Sequence, residues 1–391
     1  MEPEYNKLHA WKNPQTLDWF RWLLSLTALI LIIMIFISTR RQNLPGNRKS
    51  FQTSPTSQGQ AVSRESKKVR FTSRIFEPTK VNSIIPLGEL NGGYIESQTI
   101  NGITINIKTD AQRNAEPIEV YAPVDMTLED YSYFADGTNA PQWHLGFRIS
   151  ESVKLSFDHI SEATEIIKSV TPPTVNSAYV SPTRRLAFRA GDLVAKTSGT
   201  NEAHNWNIYL RDESKTNTFV NQERYDKLKD RYSFVNAACP FDYYEENIRQ
   251  EFLALMGHYK AGESKNCGSN SRDVKGSIAG MWHLTQDGVQ EAYDGQYASP
   301  FSIYKTSANE LILYEINRKR YIIGEKNQTY KDPALVTDSH CYNLTQYGHE
   351  VSTNGYAYFK VLSDTKMQLS YKSTGACPAT FPENSTMIYY R

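Results

Sequence analysis

Apolar and polar residues alternate in short runs along most of this chain, the period-two pattern of half-buried strands. Ile103 to Lys108 reads ITINIK. Ile118 to Tyr121 leads through Ala122-Pro123 into a second run at Met126-Thr127. Leu145 to Ile149, Val153 to Phe157, Leu186 to Arg189, Leu193 to Lys196 and Trp206 to Arg211 continue the series. The runs recur roughly every 10 residues with turn residues between them, which predicts a β-sandwich over 83–213. One stretch breaks the pattern: Ser161 to Val170 predicts a short helix capped by Ser161, with Glu162 and Glu165 favouring its N-terminal end. Glu245 to Met256 has apolar residues at helical spacing (Ile248, Phe252, Leu253, Leu255, Met256) and predicts an amphipathic helix ended by Gly257. Strand signals then return at Gly280 to Leu284, Ser302 to Tyr304, Glu310 to Tyr314, Arg320 to Ile323, Ala357 to Leu362, Met367 to Lys372 and Met387 to Tyr390. About seven or eight antiparallel strands with short turns predict a small barrel or sandwich.

The longest apolar run belongs to neither pattern. Trp22 to Thr39 is uncharged, bounded by Arg21 and by Arg40-Arg41. At about 1.5 Å per residue it spans most of a hydrocarbon layer, and Trp19, Phe20 and Trp22 supply interfacial rings. A single transmembrane helix is therefore expected at 22–39, after a short tail at 1–21. A cleaved signal peptide fits less well, because no small-x-small site follows before Arg40. Residues 40 to 80 hold ten Lys/Arg against Glu65 and Glu77, with little apolar periodicity. They read as a basic disordered linker, 40–82, that is either a spacer or an electrostatic tether to anionic surfaces.

The whole chain of 391 residues carries a net charge of only +1, which argues against a nucleic-acid partner. Its aromatic share, 12% with 25 Tyr, supports mostly β cores. The four cysteines, Cys239, Cys267, Cys341 and Cys377, form no C-x-x-C pair and no zinc-knuckle spacing. Two disulfides in an oxidising compartment are expected, Cys239–Cys267 and Cys341–Cys377, with four buried thiols as the alternative. Orientation is contested. Arg40, Arg41, Arg48 and Lys49 favour a cytoplasmic C-terminal part by the positive-inside rule, whereas the cysteines favour the outside, the reading preferred here. The sequons at Asn327, Asn343 and Asn384 matter only in a glycosylating host.

Four motifs in order carry a resemblance. They are Tyr121-Ala122-Pro123-Val124-Asp125-Met126-Thr127, Leu155-Ser156-Phe157-Asp158-His159-Ile160-Ser161, Ala190-Gly191-Asp192-Leu193-Val194-Ala195 and Asn205-Trp206-Asn207-Ile208-Tyr209-Leu210-Arg211. The series resembles the lysostaphin-type zinc endopeptidases. The resemblance implies the duplicated-hybrid-motif β fold over 83–231; the residue pattern after it predicts a helix plus antiparallel β-barrel or sandwich over 232–391. Those peptidases hold one zinc by a His, an Asp and the second His of an H-x-H pair. In this chain the first ligand has no candidate, since no histidine occurs between His9 and His144, and the H-x-H pair falls on Asn205 and Asn207. Amides are poor zinc donors. His159 matches a histidine that assists catalysis without ligating, and His204 falls one residue before the pair, on the other face of the strand. The resemblance therefore implies a pseudo-enzyme with His159 and His204 as vestigial candidates, no catalytic residue, no metal and no cofactor. The Gly280-x-Trp282 opening resembles lipocalin-type barrels. The chain as a whole is similar to bacterial extracytoplasmic proteins to which no activity is attached.

Three functions compete. The first is a non-catalytic, membrane-anchored extracytoplasmic binding or scaffolding protein, taking a cell-wall glycan, a peptide or a surface protein, with Tyr and Trp rings as contacts. The second is a zinc-dependent peptidoglycan or peptide hydrolase with a site improvised from His144, Asp158, His159 and His204. The adjacency of Asp158 and His159 on opposite faces of a strand argues against shared ligation. No G-x-S-x-G, H-E-x-x-H, P-loop or G-x-G-x-x-G motif supports an enzyme. The third is a single-pass viral or eukaryotic glycoprotein.

Overall fold

Alternation along the chain is realised as antiparallel sheet. The computed structural model describes residues 68–89, 101–134, 141–172, 179–201, 203–227, 234–286, 301–308, 311–314, 320–323, 327–344, 355–384 and 386–391. The expected membrane helix at 22–39, the tail before it and the linker up to residue 67 lie outside them. Among the described residues, no helix is long and apolar enough to cross a membrane.

Ten strands build the first part: β1 (Val81–Ile85), β2 (Ile103–Ile107), β3 (Ile118–Tyr121), β4 (Met126–Phe134), β5 (Gln142–Arg148), β6 (Val153–Ile160), β7 (Glu162–Ala163), β8 (Leu186–Phe188), β9 (Leu193–Thr197) and β10 (Asn205–Asp212). Seven form one antiparallel sheet in the order β1-β2-β10-β6-β5-β4-β8, and β3-β9-β7 form a smaller one. Their inner faces share a core. Leu155 and Phe157 of β6 and Trp206 and Ile208 of β10 point inward, as do Ile118, Val120, Val194 and Ala195 of the small sheet. The alternate residues of β6 and β10 (Lys154, Ser156, Asp158; Asn207, Tyr209, Arg211) face outward on one surface.

The segment before β1 overturns part of the expected linker. Phe71, Ile75 and Phe76 are 1%, 0% and 0% exposed, so 68–82 is packed structure. The apolar triplet was masked in the sequence by its many charged neighbours. The Phe76 ring meets Trp206 edge-on at 5.7 Å and Phe252 at 5.2 Å. The Tyr244 hydroxyl donates to the Ser73 carbonyl at 2.9 Å and accepts from the Ile75 N–H at 3.0 Å. Residues 237–267 belong to this first core as well, through Phe241, Phe252, Leu253 and Met256. Their helix is shorter than expected, Glu246–Leu253, because Leu255 and Gly257 leave it to bond β1: the Ile84 N–H donates to the Leu255 carbonyl at 2.8 Å and the Gly257 N–H to the Ile84 carbonyl at 2.8 Å.

The helix predicted over 161–170 is also shorter, Glu165–Lys168, and its N-cap is Thr164 without a side-chain bond. Ser161 does not cap it. Glu162 and Ala163 pair with Lys196 and Ala195 as β7, which holds the chain extended up to Thr164.

The second core is built on β11 (Gly280–Trp282), β12 (Phe301–Lys305), β13 (Leu311–Tyr314), β14 (Arg320–Ile323), β15 (Ser339–Leu344), β16 (Gly355–Ser363), β17 (Lys366–Lys372) and β18 (Met387–Tyr390). These form two four-stranded antiparallel sheets, β11 to β14 and β15 to β18. Mutual hydrogen bonds of 2.7 Å between His283 and Tyr390 tie the edge beside β11 to β18, and β14 lies against β15. Trp282, Tyr342, Phe359, Met367 and Tyr389 fill the space between them. Arg391, 1% exposed, stacks its guanidinium over Trp282 at 4.3 Å. It also donates to the carbonyls of Ala279 at 2.7 Å and Ser277 at 2.8 Å. Gly280 is left-handed, φ 138°, and a Cβ there would stand 2.4 Å from an Asp273 carboxylate oxygen. Both expected disulfides are present, Cys239–Cys267 in the first core and Cys341–Cys377 joining β15 to the approach to β18.

Candidate binding groove

The outward surface of the seven-stranded sheet carries a groove of about 580 Å³. Register places its side chains in transverse rows. In one row Arg211 pairs with Lys154 and Lys154 with Arg148, three cations on three adjacent strands. In the next, Tyr209, Ser156, Gly146 and Asp130 lie side by side. In the third, Asn207 pairs with Asp158, beyond which come His144 and then Ser132.

Two bulges make these rows possible. A bulge inserts an extra residue into one strand and re-aims its side chains. On β4 it falls between Leu128 and Asp130, so Glu129 and Asp130, which would otherwise alternate, both line the groove. On β6, Asp158 and His159 together oppose His144 alone. His159 takes a left-handed conformation, φ 59°, to complete that bulge. Its N–H donates to the Asp158 carboxylate at 3.0 Å. Gly146 completes the floor. A Cβ at this position would lie 2.3 Å from Asp130 Oδ1, so only glycine leaves the carboxylate where it is.

Electrostatics differ at the two ends. Glu129 ion-pairs with Arg148 and, at 2.7 Å, with Lys154. Burial holds the Lys154 ammonium below the usual lysine range, and repulsion from Arg148 and Arg211 adds to it, against the pull of Asp130 and Glu213. At the other end, burial pushes the Asp158 carboxyl up, but His144, His159 and the His159 N–H outweigh it and hold it below the usual carboxylate range. Asp158 is therefore ionised. His144 is 9% exposed, and its Nδ1 faces Asp158 Oδ1 at 3.5 Å. Tyr179 stands edge-on to the His144 ring at 4.9 Å, and Tyr209 lies 6.5 Å away. Paired backbone bonds of 2.9 Å between Val180 and Tyr131 hold Tyr179 over this end.

The histidines singled out in the sequence are dispersed. His144 and Asp158 meet in the groove. His159 turns away: its Nδ1 faces Gln142 Oε1 at 2.8 Å, while Gln142 Nε2 donates to the Gly199 carbonyl at 3.1 Å. That second bond fixes the Gln142 amide, so His159 Nδ1 carries the proton. His204 is not on the opposite face of β10 as expected. It precedes the strand in a left-handed turn, φ 49°, bonded to Thr200 and Ile107 through its backbone. Asn207 lies on the outward face, where its Oδ1 accepts a 2.7 Å bond from the Thr104 hydroxyl. An amide engaged by a hydroxyl is not a zinc-donor arrangement, and among the described residues no three His, Cys, Asp or Glu side chains gather to hold a metal ion. Tyr179, Tyr209, Glu129, Asp130 and Gly146 were not anticipated. The signals available were a glycine inside a strand pattern and two consecutive acids in mid-strand, both marks of a bulge or a close approach.

No family model and no curated protein matches the sequence. Among solved structures, the NMR solution structure of lysostaphin aligns over 83% of this chain and 91% of its own, at 10% identity and a TM-score of 0.25. That overlap is too low to bear on the fold or the site.

Proposed function

We propose that this chain is a non-catalytic binding or scaffolding protein whose groove on the seven-stranded sheet takes a polar ligand. The observation that carries the reading is the groove itself: bulges and a required glycine shape it, charged side chains line it and two tyrosine rings flank it. Rings with planar polar groups are the usual means of holding glycans and peptides. Beside it, the Thr104–Asn207 bond stands where the resemblance would require a zinc-ligating histidine, which favours a peptidase-like unit without its metal. Placement outside the cytoplasm, with residues 22–39 as a bilayer anchor, is part of the proposal and is supported by the two disulfides.

The test uses the full-length chain, equilibrated with zinc and dialysed, then analysed for metal and for hydrolysis of peptidoglycan fragments. Less than a tenth of an equivalent of zinc and no hydrolysis are expected, together with calorimetric binding of a chitooligosaccharide or a short peptide that weakens in Gly146→Ala. One zinc per chain, lost in His159→Gln or His204→Gln, would establish the hydrolase reading instead.

A further inference from the structure

Balanced charge, laddered strands and one well-seated ring together narrow what the groove can take. We infer, on the reading of the groove as a binding site, that its ligand is a neutral glycan, an uncharged sugar ring stacking on Tyr209 while its hydroxyls bond the charged side chains around it.

The charges that line the groove are answered within the protein. Lys154 and Arg211 stand against Glu129, Asp130 and Asp158. Glu129 holds Lys154 at 2.7 Å and pairs with Arg148, and Asp130 and Glu213 also draw on Lys154. Asp158 faces His144 at 3.5 Å and accepts the His159 N–H at 3.0 Å. An ionic ligand would have to displace such contacts and shed its own hydration. A hydroxyl joins them without displacing any. An ionised carboxylate has about four acceptor sites, and O–H···O⁻ bonds are among the strong ones.

The backbone beneath the groove offers little. β6 is bonded to β10 on one side and β5 on the other, and β5 to β6 and β4. Extended peptides commonly take their main-chain bonds from an exposed strand edge, and this surface is a sheet face. Recognition therefore falls to side chains, which suits a ligand whose polar groups form a rim of hydroxyls.

Tyr209 supplies the apolar surface. It lies opposite Ser156, and Ser156 opposite Gly146, so no bulky side chain shares its row before Asp130, which lies over Gly146. Its ring rests against Gly102, just before β2, where a Cβ would stand 2.5 Å from Tyr209 Cδ1 and 2.8 Å from Cε1. That glycine gives the ring its seat. Asn101, next along the chain, lines the groove beside it. Tyr179, 67% exposed, presents a second ring beside His144. A sugar has an apolar C–H face and a polar rim, which matches an aromatic ring bordered by planar polar groups.

Isothermal titration of the full-length chain tests this with N-acetylated chitotetraose and cellotetraose (both neutral), deacetylated chitotetraose (cationic), tetragalacturonate (anionic) and tetra-alanine. At least one neutral glycan is expected to bind tenfold or more tightly than the other three probes, with little dependence on salt. Tyr209→Ala should weaken it at least tenfold and Tyr209→Phe by less than twofold. Saturation-transfer NMR from the aromatic protons of the unaltered chain to the sugar C–H protons gives the same readout with no variant to misfold. Binding of a charged tetrasaccharide or of tetra-alanine as tight as that of the neutral glycans, or absence of saturation transfer, overturns the glycan inference and leaves the binding reading standing. So does a folded Tyr209→Ala variant that binds like the unaltered chain. If no probe binds, both fall.

Discussion

A missing side chain shapes the groove as much as any present one. Gly146 lets Asp130 lie against the β5 backbone, and a methyl group there displaces the carboxylate. Gly146→Ala is expected to turn the flexible Asp130 side chain aside at little cost in stability and to weaken ligand binding. Chemical denaturation and calorimetry on the same sample check the two effects. Arg391 illustrates the opposite case, a charge taken out of water. Burial lowers its pKa, Asp273 opposes that, and four carbonyls and the Trp282 face surround the guanidinium. Removing a charge whose partners stay buried typically costs about 3–5 kcal/mol, so Arg391→Ala is expected to destabilise the second core by that order. A loss below about 1 kcal/mol in urea titration would refute the clamp. At this scale the sequence was only partly legible. His144 and Asp158 could be named, but their meeting depends on a bulge that leaves no mark in residue alternation. Tyr179 comes to them through a backbone bridge to Tyr131, outside any strand pattern.

Strands were the most legible elements. β3, β14 and β18 fall where the alternation puts them, and β2, β6 and β10 differ by a few residues at their ends. The reason is physical: in β3, β6 and β10 one face is buried, so period two is enforced by solvent. The misreadings lie where another contact outweighs local preference. β7 pairing delays the helix after Ser161, and β1 pairing ends the helix before Ala254. The segment at 68–82 reads as linker because charge dominates it while Phe71, Ile75, Phe76 and Val81 do the packing. Phe76→Ala is therefore expected to cost about 3–5 kcal/mol, a large aromatic lost from a fully buried site, measurable as a lower urea midpoint. A surface linker would show no change. The disulfide pairing was legible from the elements around it: Cys239 and Cys267 flank one helix, and Cys341 and Cys377 lie in or near adjoining strands.

Over the whole molecule, polar groups join the two cores. Glu89, 1% exposed, accepts from the Ser307 N–H at 2.7 Å and meets His258 Nδ1 at 3.2 Å, while the Tyr304 hydroxyl donates to the Gly88 carbonyl at 2.7 Å. The second core also contains an acid-sensitive point. His283 is 2% exposed, and its Nε2 has no hydrogen-bond partner among the described residues. Burial first, and the nearby Arg224 charge second, lower its pKa to about 3 from the ordinary 6.5. The unfolded chain takes up this proton first, so stability is intact above pH 6.5 and is lost as pH falls toward 3. At pH 4 this amounts to roughly 3 kcal/mol from one group. His283→Leu is expected to flatten the fall in urea stability between pH 7 and pH 4, and an unchanged slope would remove His283 from the account. The mostly β, antiparallel character was legible in the sequence because it follows from periodicity. The groove's transverse rows were not, because they arise from registry between strands, β10 among them, that lie apart in the chain.

The pairing of the cysteines has a consequence for biogenesis. Of the three ways to join four thiols, the chain uses the one in which each cysteine meets the next to emerge. If the chain is exported as proposed, cysteines oxidised as they emerge would form these bonds in order. On that proposal, yield of the exported chain would depend on a thiol oxidant and not on a disulfide isomerase, so deleting the isomerase from an expression host would leave the yield unchanged.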